Sequence, residues 1–118
     1  MIVDCHSFPS LPHPYEDPTL HRPDICFGFD SFHSPDKTLL DELEAICNKA
    51  SLEVGRNTPF AGSFVPIKYY SEITRVKSLM IEVNRSLYMD EATGEKSSKF
   101  QSTAELVGKM LERISSDL

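Results

Sequence analysis

The chain has little of what several function classes require. Among its 118 residues no apolar stretch approaches the ~20 needed to cross a bilayer. No signal peptide is visible, because Met1-Ile2-Val3 runs straight into Asp4 and His6. Basic clusters are missing too: the net charge is −6, and the arginines stand apart at Arg22, Arg56, Arg75, Arg85 and Arg113. Duplex binding needs clustered Lys and Arg, so nucleic acid is excluded as a partner. Dispersed arginines suit a small anionic substrate better. The three cysteines, Cys5, Cys26 and Cys47, are an odd number without metal-ligand spacing. They read as reduced, mostly buried thiols in a cytoplasmic protein. Repeats and low-complexity tracts are absent as well. What remains, with 40% hydrophobic and 25% charged residues, is an ordinary globular domain over residues 1–118 with one modest core.

The pattern along the chain alternates strands with loops and helices. Met1 to Cys5 reads as a short strand. His6 to Pro23 follows as an irregular segment with prolines at 9, 12, 14, 18 and 23, each removing a backbone donor and fixing φ. An ordered loop of this length is usually functional. Asp24 to Phe29 reads as a second strand. Ser34-Pro35-Asp36 is a helix start, and Leu39, Leu43, Ile46 and Ala50 recur at helical spacing to about Ala50. Leu52 to Arg56 and Val76 to Val83 are further strands, the latter apolar on both faces as in a central strand covered by helices. After a polar turn at Thr93-Gly94, Val107, Met110, Leu111 and Ile114 mark the buried stripe of a last helix. This order predicts an α/β fold with a mostly parallel sheet flanked by helices.

In such a sheet His6 and Glu82 project at one carboxyl edge, where open α/β sheets bind ligands. Cys5 and His6 point to opposite faces, which excludes a Cys-His nucleophilic pair made from these neighbours. His6 is either a zinc ligand or a hydrogen-bonded loop histidine. Glu82 is a lone carboxylate on an apolar strand, costly to bury unless paired or functional. It is either a general base beside an activated water or the partner of Arg85 or Arg56. Asn84 and Arg85 lie just past the strand, where an arginine either clamps a substrate carboxylate or forms an ion pair within the loop. Asn57-Thr58-Pro59-Phe60-Ala61-Gly62 is a turn that can present N–H groups, with Gly62 permitting close approach. His13, His21 and His33 read as exposed loop residues, and Asp90-Glu91 with Glu95 as a solvated acidic turn.

Four segments carry a resemblance. Asp4-Cys5-His6-Ser7, Arg22-Pro23-Asp24-Ile25, Asn57-Thr58-Pro59-Phe60-Ala61-Gly62 and Ile81-Glu82-Val83-Asn84-Arg85-Ser86-Leu87-Tyr88-Met89 resemble N-formylglutamate amidohydrolase, in that family's order. The resemblance implies a fold similar to part of the zinc carboxypeptidase-like (phosphorylase/hydrolase-like) fold. It also implies zinc as cofactor and cleavage of N-formyl-L-glutamate to formate and L-glutamate in histidine breakdown. His6 then corresponds to the third zinc ligand and Glu82 to the catalytic base. Arg85, Asn84, Asn57, Phe60 and Gly62 would line the pocket of a small anionic N-acyl amino acid.

The family's first two zinc ligands, a histidine and a glutamate, come from a segment ahead of the Asp-Cys-His motif. Here that motif begins at residue 4, so the expectation is the C-terminal half of the family's domain. Two alternatives accompany it. One is a non-catalytic half-domain that self-associates through an open sheet edge. The other is an amidohydrolase for a different N-acyl amino acid.

Overall fold

The structure, a computed structural model, describes residues 1–72 and 75–116. Four strands form one sheet: β1 (Ile2–Phe8), β2 (Ile25–Gly28), β3 (Val54–Arg56) and β4 (Ser78–Asn84). Their spatial order is β1-β4-β2-β3. Helix α1 (Lys37–Lys49) links β2 to β3, and α2 (Phe100–Ser115) follows β4. Short 3-10 turns occupy Ile67–Tyr69 and Arg85–Leu87.

The expectation of a mostly parallel sheet needs correction. β1 pairs parallel with β4, and β2 parallel with β3, but β2 and β4 run antiparallel. The connections give the reason. A parallel return needs a crossover, usually a helix, and α1 supplies one between β2 and β3. The proline-rich segment after β1 forms no helix, so the chain stays at the edge where β1 ended and β2 runs back. The same holds between β3 and β4, whose connection contains only one 3-10 turn among its described residues.

Among the described residues, helices cover one face of the sheet and not the other. Ile25, Phe27, Leu79, Ile81 and Val83 pack with Leu39, Leu40, Leu43 and Cys47 of α1 and Leu106, Met110 and Ile114 of α2 in one apolar cluster. The helices touch each other, with Cys47 Sγ 3.7 Å from Met110 Sδ. β4 is therefore not apolar on both sides: Leu79, Ile81 and Val83 alternate with Met80, Glu82 and Asn84. In α2 the buried stripe is Thr103, Leu106, Met110 and Ile114, while Leu111 is 37% exposed. Among the described residues no helix is long and apolar enough to cross a membrane.

Element ends also differ from expectation. β1 continues through Phe8, so His6 lies inside the strand. α1 starts at Lys37, because Asp36 is still extended (φ −64°, ψ 146°) and makes no side-chain cap. The Ser34 hydroxyl, expected to cap, donates instead to the Pro35 carbonyl at 2.8 Å. Cys26 and Cys47 are buried as expected, but Cys5 is exposed, because β1 is an edge strand.

Candidate active site

The polar face of the sheet carries the candidate chemistry. His6 stands in register with Glu82 across the parallel pair, and Cys26 with Glu82 across the antiparallel one. Paired residues share a face, and so do alternate residues of one strand. One surface therefore gathers Asp4, His6 and Phe8 from β1, Met80, Glu82 and Asn84 from β4, and Cys26 from β2.

Glu82 is 8% exposed, and its Oε2 is buried with no hydrogen-bond partner among the described residues. Burial pushes its carboxyl above the usual range; nearby His6 and Arg85 oppose this and Asp4 adds to it. It pairs with neither arginine weighed for it. Arg56 is committed to α1, with Nε donating to Glu44 at 2.9 Å and Nη2 to Asp41 at 2.8 Å. Arg85 donates to the Ser7 hydroxyl at 3.3 Å and the Ser7 carbonyl at 3.4 Å. A buried carboxylate without a structural partner, beside a histidine, is a general-base arrangement.

His6 is exposed and its Nε2 lies 2.8 Å from Asp4 Oδ1, two residues earlier on the same strand face. A carboxylate on one ring nitrogen orients the other toward a metal or substrate. The described residues hold no group of three His, Cys, Asp or Glu able to bind a metal. A catalytic zinc takes three protein ligands. His6 fits as one oriented ligand, and a complete set is not formed among the described residues.

The remaining expected residues divide. Asn57, at φ 55°, donates its N–H to the Phe27 carbonyl at 2.8 Å and accepts from Phe29 N–H at 2.8 Å through its side chain. It anchors the turn that ends β3. Asn84 donates to the Pro23 carbonyl at 3.2 Å and accepts from the Ser86 backbone N–H (3.1 Å) and hydroxyl (2.9 Å), so it ties β4 to the loop before β2. Gly62 (φ 84°) brings its carbonyl against Gly28, where an added Cβ would stand 2.5 Å from it. The loop thereby folds back over the polar face: the Cys26 thiol donates to the Thr58 and Phe60 carbonyls at 3.3 Å each. Phe60 then meets Phe8 edge-on, ring centroids 5.2 Å apart.

Three residues depart from their expected settings. His33 is fully buried, its Nδ1 2.7 Å from the Val76 carbonyl and its Nε2 accepting from Ser71 N–H at 3.0 Å. His21 is exposed but paired with Glu53 at 2.8 Å. Glu91 accepts from the Ser10 N–H at 2.9 Å and from its hydroxyl, so the acidic turn is partly pinned. His13 is exposed as expected, stacked on Tyr15. A groove of about 510 Å³ beside β1 is lined by Cys5, His6, Ser7, Val83, Tyr88 and Phe100 among others, so it borders His6 and does not include Glu82 in its lining.

The family model for N-formylglutamate amidohydrolase matches residues 1–89. The chain belongs to the N-formylglutamate amidohydrolase family. The match takes in every residue of the polar face and stops short of α2. The crystal structure of N-formylglutamate amidohydrolase from Ralstonia eutropha JMP134 is similar at 25% identity, with a TM-score of 0.74 over 97% of this chain. A gene product from Agrobacterium tumefaciens shares the fold at 24% identity and a TM-score of 0.52 over 96% of the chain. This N-formylglutamate amidohydrolase family chain spans 41% and 43% of those two proteins' lengths. None of the curated proteins matches it.

Sequence reasoning gave Arg22 no role of its own, yet its guanidinium reaches the polar face of this family member. It lies 5.2 Å from the Phe8 ring centroid and 5.5 Å from that of Phe60. The signal available in the sequence was its position immediately before Pro23 and the buried start of β2.

Proposed function

We propose that this chain carries the general base of an amidohydrolase that cleaves a small N-acyl amino acid, N-formyl-L-glutamate foremost. The observation that supports this most is the buried, unpartnered Oε2 of Glu82 in register with His6. Glu82 takes a proton from the attacking water as its oxygen bonds to the acyl carbon. The same carboxyl then gives that proton to the nitrogen as the C–N bond breaks, releasing formate and L-glutamate. A raised carboxyl pKa suits both steps, since it narrows the gap to the operating pH. Arg85 stands at the carboxyl edge to hold an anionic group, with Phe60 and Gly62 walling the pocket and Asn57 and Asn84 fixing the loops around it. His6, held by Asp4, is one zinc ligand, and the others come from outside the set described. Zinc, when bound, supplies Lewis-acid polarisation of the acyl carbonyl. The reading carries with it a zinc carboxypeptidase-like whole domain, a cytoplasmic setting and a place in histidine breakdown.

Hydrolysis of N-formyl-L-glutamate by the zinc-loaded protein, followed as formate release, tests the proposal. Glu82→Gln should keep the zinc content of the unaltered chain and lose turnover by roughly 100-fold or more. Retained turnover in that variant sinks the assignment. Comparison with N-acetyl and longer N-acyl amino acids separates a formyl-specific enzyme from an amidohydrolase of another acyl group.

A second reading is favoured by one observation: β1 has no strand on its outer side among the described residues, and Cys5 and His6 are exposed there. An unpaired edge recruits further strands. In this reading the chain is a non-catalytic half-domain that self-associates along β1. Light scattering together with zinc per chain distinguishes the two: a dimer without stoichiometric zinc supports the second.

A further inference from the structure

The helix layer carries a trough that the candidate active site does not use. Two grooves meet there. One, of about 620 Å³, lies between the end of α1 and the second half of α2; the other, of about 260 Å³, lies beside the start of α2. Ala50 and Leu106 line both, so the two are continuous. The floor is apolar: Leu87 and Leu106 are each 6% exposed, with Ile46 and Leu52 partly buried beside them. Ser102, Leu106, Lys109 and Arg113 recur at helical spacing, which places them along one face of α2. From Lys99 to Lys109 that face extends about 15 Å. The helices pack on the sheet face that holds Ile81 and Val83, so the trough and Glu82 belong to different layers.

The rim is cationic in a chain that is acidic. Asp and Glu outnumber Lys and Arg 18 to 12, yet the two grooves are lined by Lys49, Lys99, Lys109 and Arg113 and by a single acid, Glu112. Arg113 is spent on Glu42, to which its Nε donates at 2.6 Å. Among the described residues none of the three lysines forms an ion pair or lies over an aromatic ring. Their placement is uneven. Lys49 and Lys109 stand together at the larger groove, whereas the smaller one has Lys99 alone and a floor of Leu52 and Leu87. The trough is thus charged at one end and apolar along the other. Lys99, Ser102, Leu106 and Lys109 lie beyond residues 1–89, so the family's motifs do not account for this side of it.

We infer that this trough binds a single-chain anionic amphiphile, a long-chain carboxylate. Its head group sits between Lys49 and Lys109. Its tail passes Ala50 and Leu106 and lies along Leu52 and Leu87. Charge complementarity argues for this occupant: two lysines without counterions at one end attract a monoanion, and each methylene laid on the floor leaves water. Lys99 lays its stem along the tail and keeps its ammonium in solvent. A large acidic partner suits the trough less well. The net charge of −6 repels an acidic protein at long range, and a second copy carries that same charge. A small monoanion meets mainly the local field of the lysines. The inference is independent of the reading of Glu82.

The test is calorimetric titration of the 118-residue chain with octanoate, decanoate and dodecanoate below their micelle-forming concentrations, and with dodecyltrimethylammonium. The carboxylates should bind one per chain and tighten roughly 3- to 4-fold for each added methylene. The ammonium compound, with the same tail as dodecanoate, should bind roughly 10-fold more weakly than the carboxylate. Lys49→Glu together with Lys109→Glu should remove that preference; both side chains are exposed, so the fold is kept. Ala50→Trp obstructs the junction of the two grooves and should cancel the gain from the longer tails. The chain has no other tryptophan, so its emission also reports whether the junction is occupied. The inference is overturned if affinity does not depend on tail length, if many molecules adsorb per chain, or if no carboxylate binds at millimolar concentration. It is equally overturned if the double variant keeps the preference for carboxylate. Two other occupants would also overturn it. Poly-L-glutamate bound in place of dodecanoate, and lost in the double variant, assigns the trough to an acidic peptide. A dimer seen by light scattering and abolished by the double variant, with no dodecanoate bound, assigns it to a second copy of the chain.

Discussion

His6 and Glu82 face each other directly across β1 and β4, strands joined through most of the chain's length yet hydrogen-bonded side by side. The pairing places an oriented imidazole next to a buried carboxylate on one sheet face. Among the described residues neither is consumed by the structure around it: His6 Nε2 pairs with Asp4 two residues away, and Glu82 Oε2 has no hydrogen-bond partner.

The raised pKa of Glu82 makes a stability prediction independent of turnover. The folded state holds this proton more tightly than the unfolded chain does. Between the ordinary value near 4.5 and the raised one, the folded state binds more protons, so stability falls as pH rises through that window. Glu82→Gln should match the unaltered protein at pH 4 and melt at a higher temperature at pH 7, both in metal-free buffer. Equal melting temperatures at pH 7 would show that the ionised carboxylate carries no burial cost.

The thiols should separate by reactivity. Burial pushes Cys47 up to about 12, with Glu44 and Asp24 adding to the shift, and burial raises Cys26 as well. Cys5 is also raised, by partial burial and by Asp4, yet it is the exposed thiol. Titration of the native protein with an aromatic disulfide at pH 8 should give one equivalent per chain, rising to three on denaturation. Cys5→Ser should abolish the native equivalent.

Two glycines should respond in opposite directions to alanine. A Cβ at Gly55 would meet the Thr58 carbonyl oxygen at 2.4 Å and Pro23 Cγ at 2.9 Å, so Gly55→Ala forces the loop off the sheet. It should cost about 1–3 kcal/mol. Gly108, inside α2, has nothing within 4 Å of its added Cβ. Gly108→Ala should stabilise by about 0.5–1 kcal/mol through helix propensity alone. Urea midpoints of the two variants check both signs.

His33 should behave as a structural residue. It bridges the Val76 carbonyl and the Ser71 N–H, clamping the segment before β4. His33→Phe keeps the bulk and strands both backbone groups, at a cost of about 1–3 kcal/mol. Denaturant unfolding measures it, and an unchanged midpoint would contradict the bridge.

Local order explains what could be read from residues in line. Leu39, Leu43 and Ile46 recur at the helical period and Leu79-Met80-Ile81 form a short apolar run, so the presence of α1 and β4 follows from local pattern, while the two-faced character of β4 was visible only in the structure. The motifs around His6, Asn57–Gly62 and Glu82 carried the family resemblance, and residues 1–89 match that family. Strand ends were less legible. The strand hydrogen bonds that carry β1 on to Phe8 are made with β4, some seventy-five residues away.

The tertiary structure decided what depends on contacts across the chain. Strand direction is one case: a connection without a crossover helix leaves β2 antiparallel to β4, and no property of Ile25–Gly28 announces it. His33 is another, since both of its ring nitrogens are engaged by Val76 and Ser71, some forty residues along the chain. Arg22 is the third. Its sequence context is that of a loop arginine before a proline; only the return of the Asn57–Gly62 loop over the sheet brings Phe60 against it. The sequence by itself determined the elements, the family and the polar residues available for chemistry, because these follow from periodicity and local motif. Which of those residues share a face, which are spent on structure and which are left without a partner was settled by packing, because burial and hydrogen bonding are properties of the whole fold.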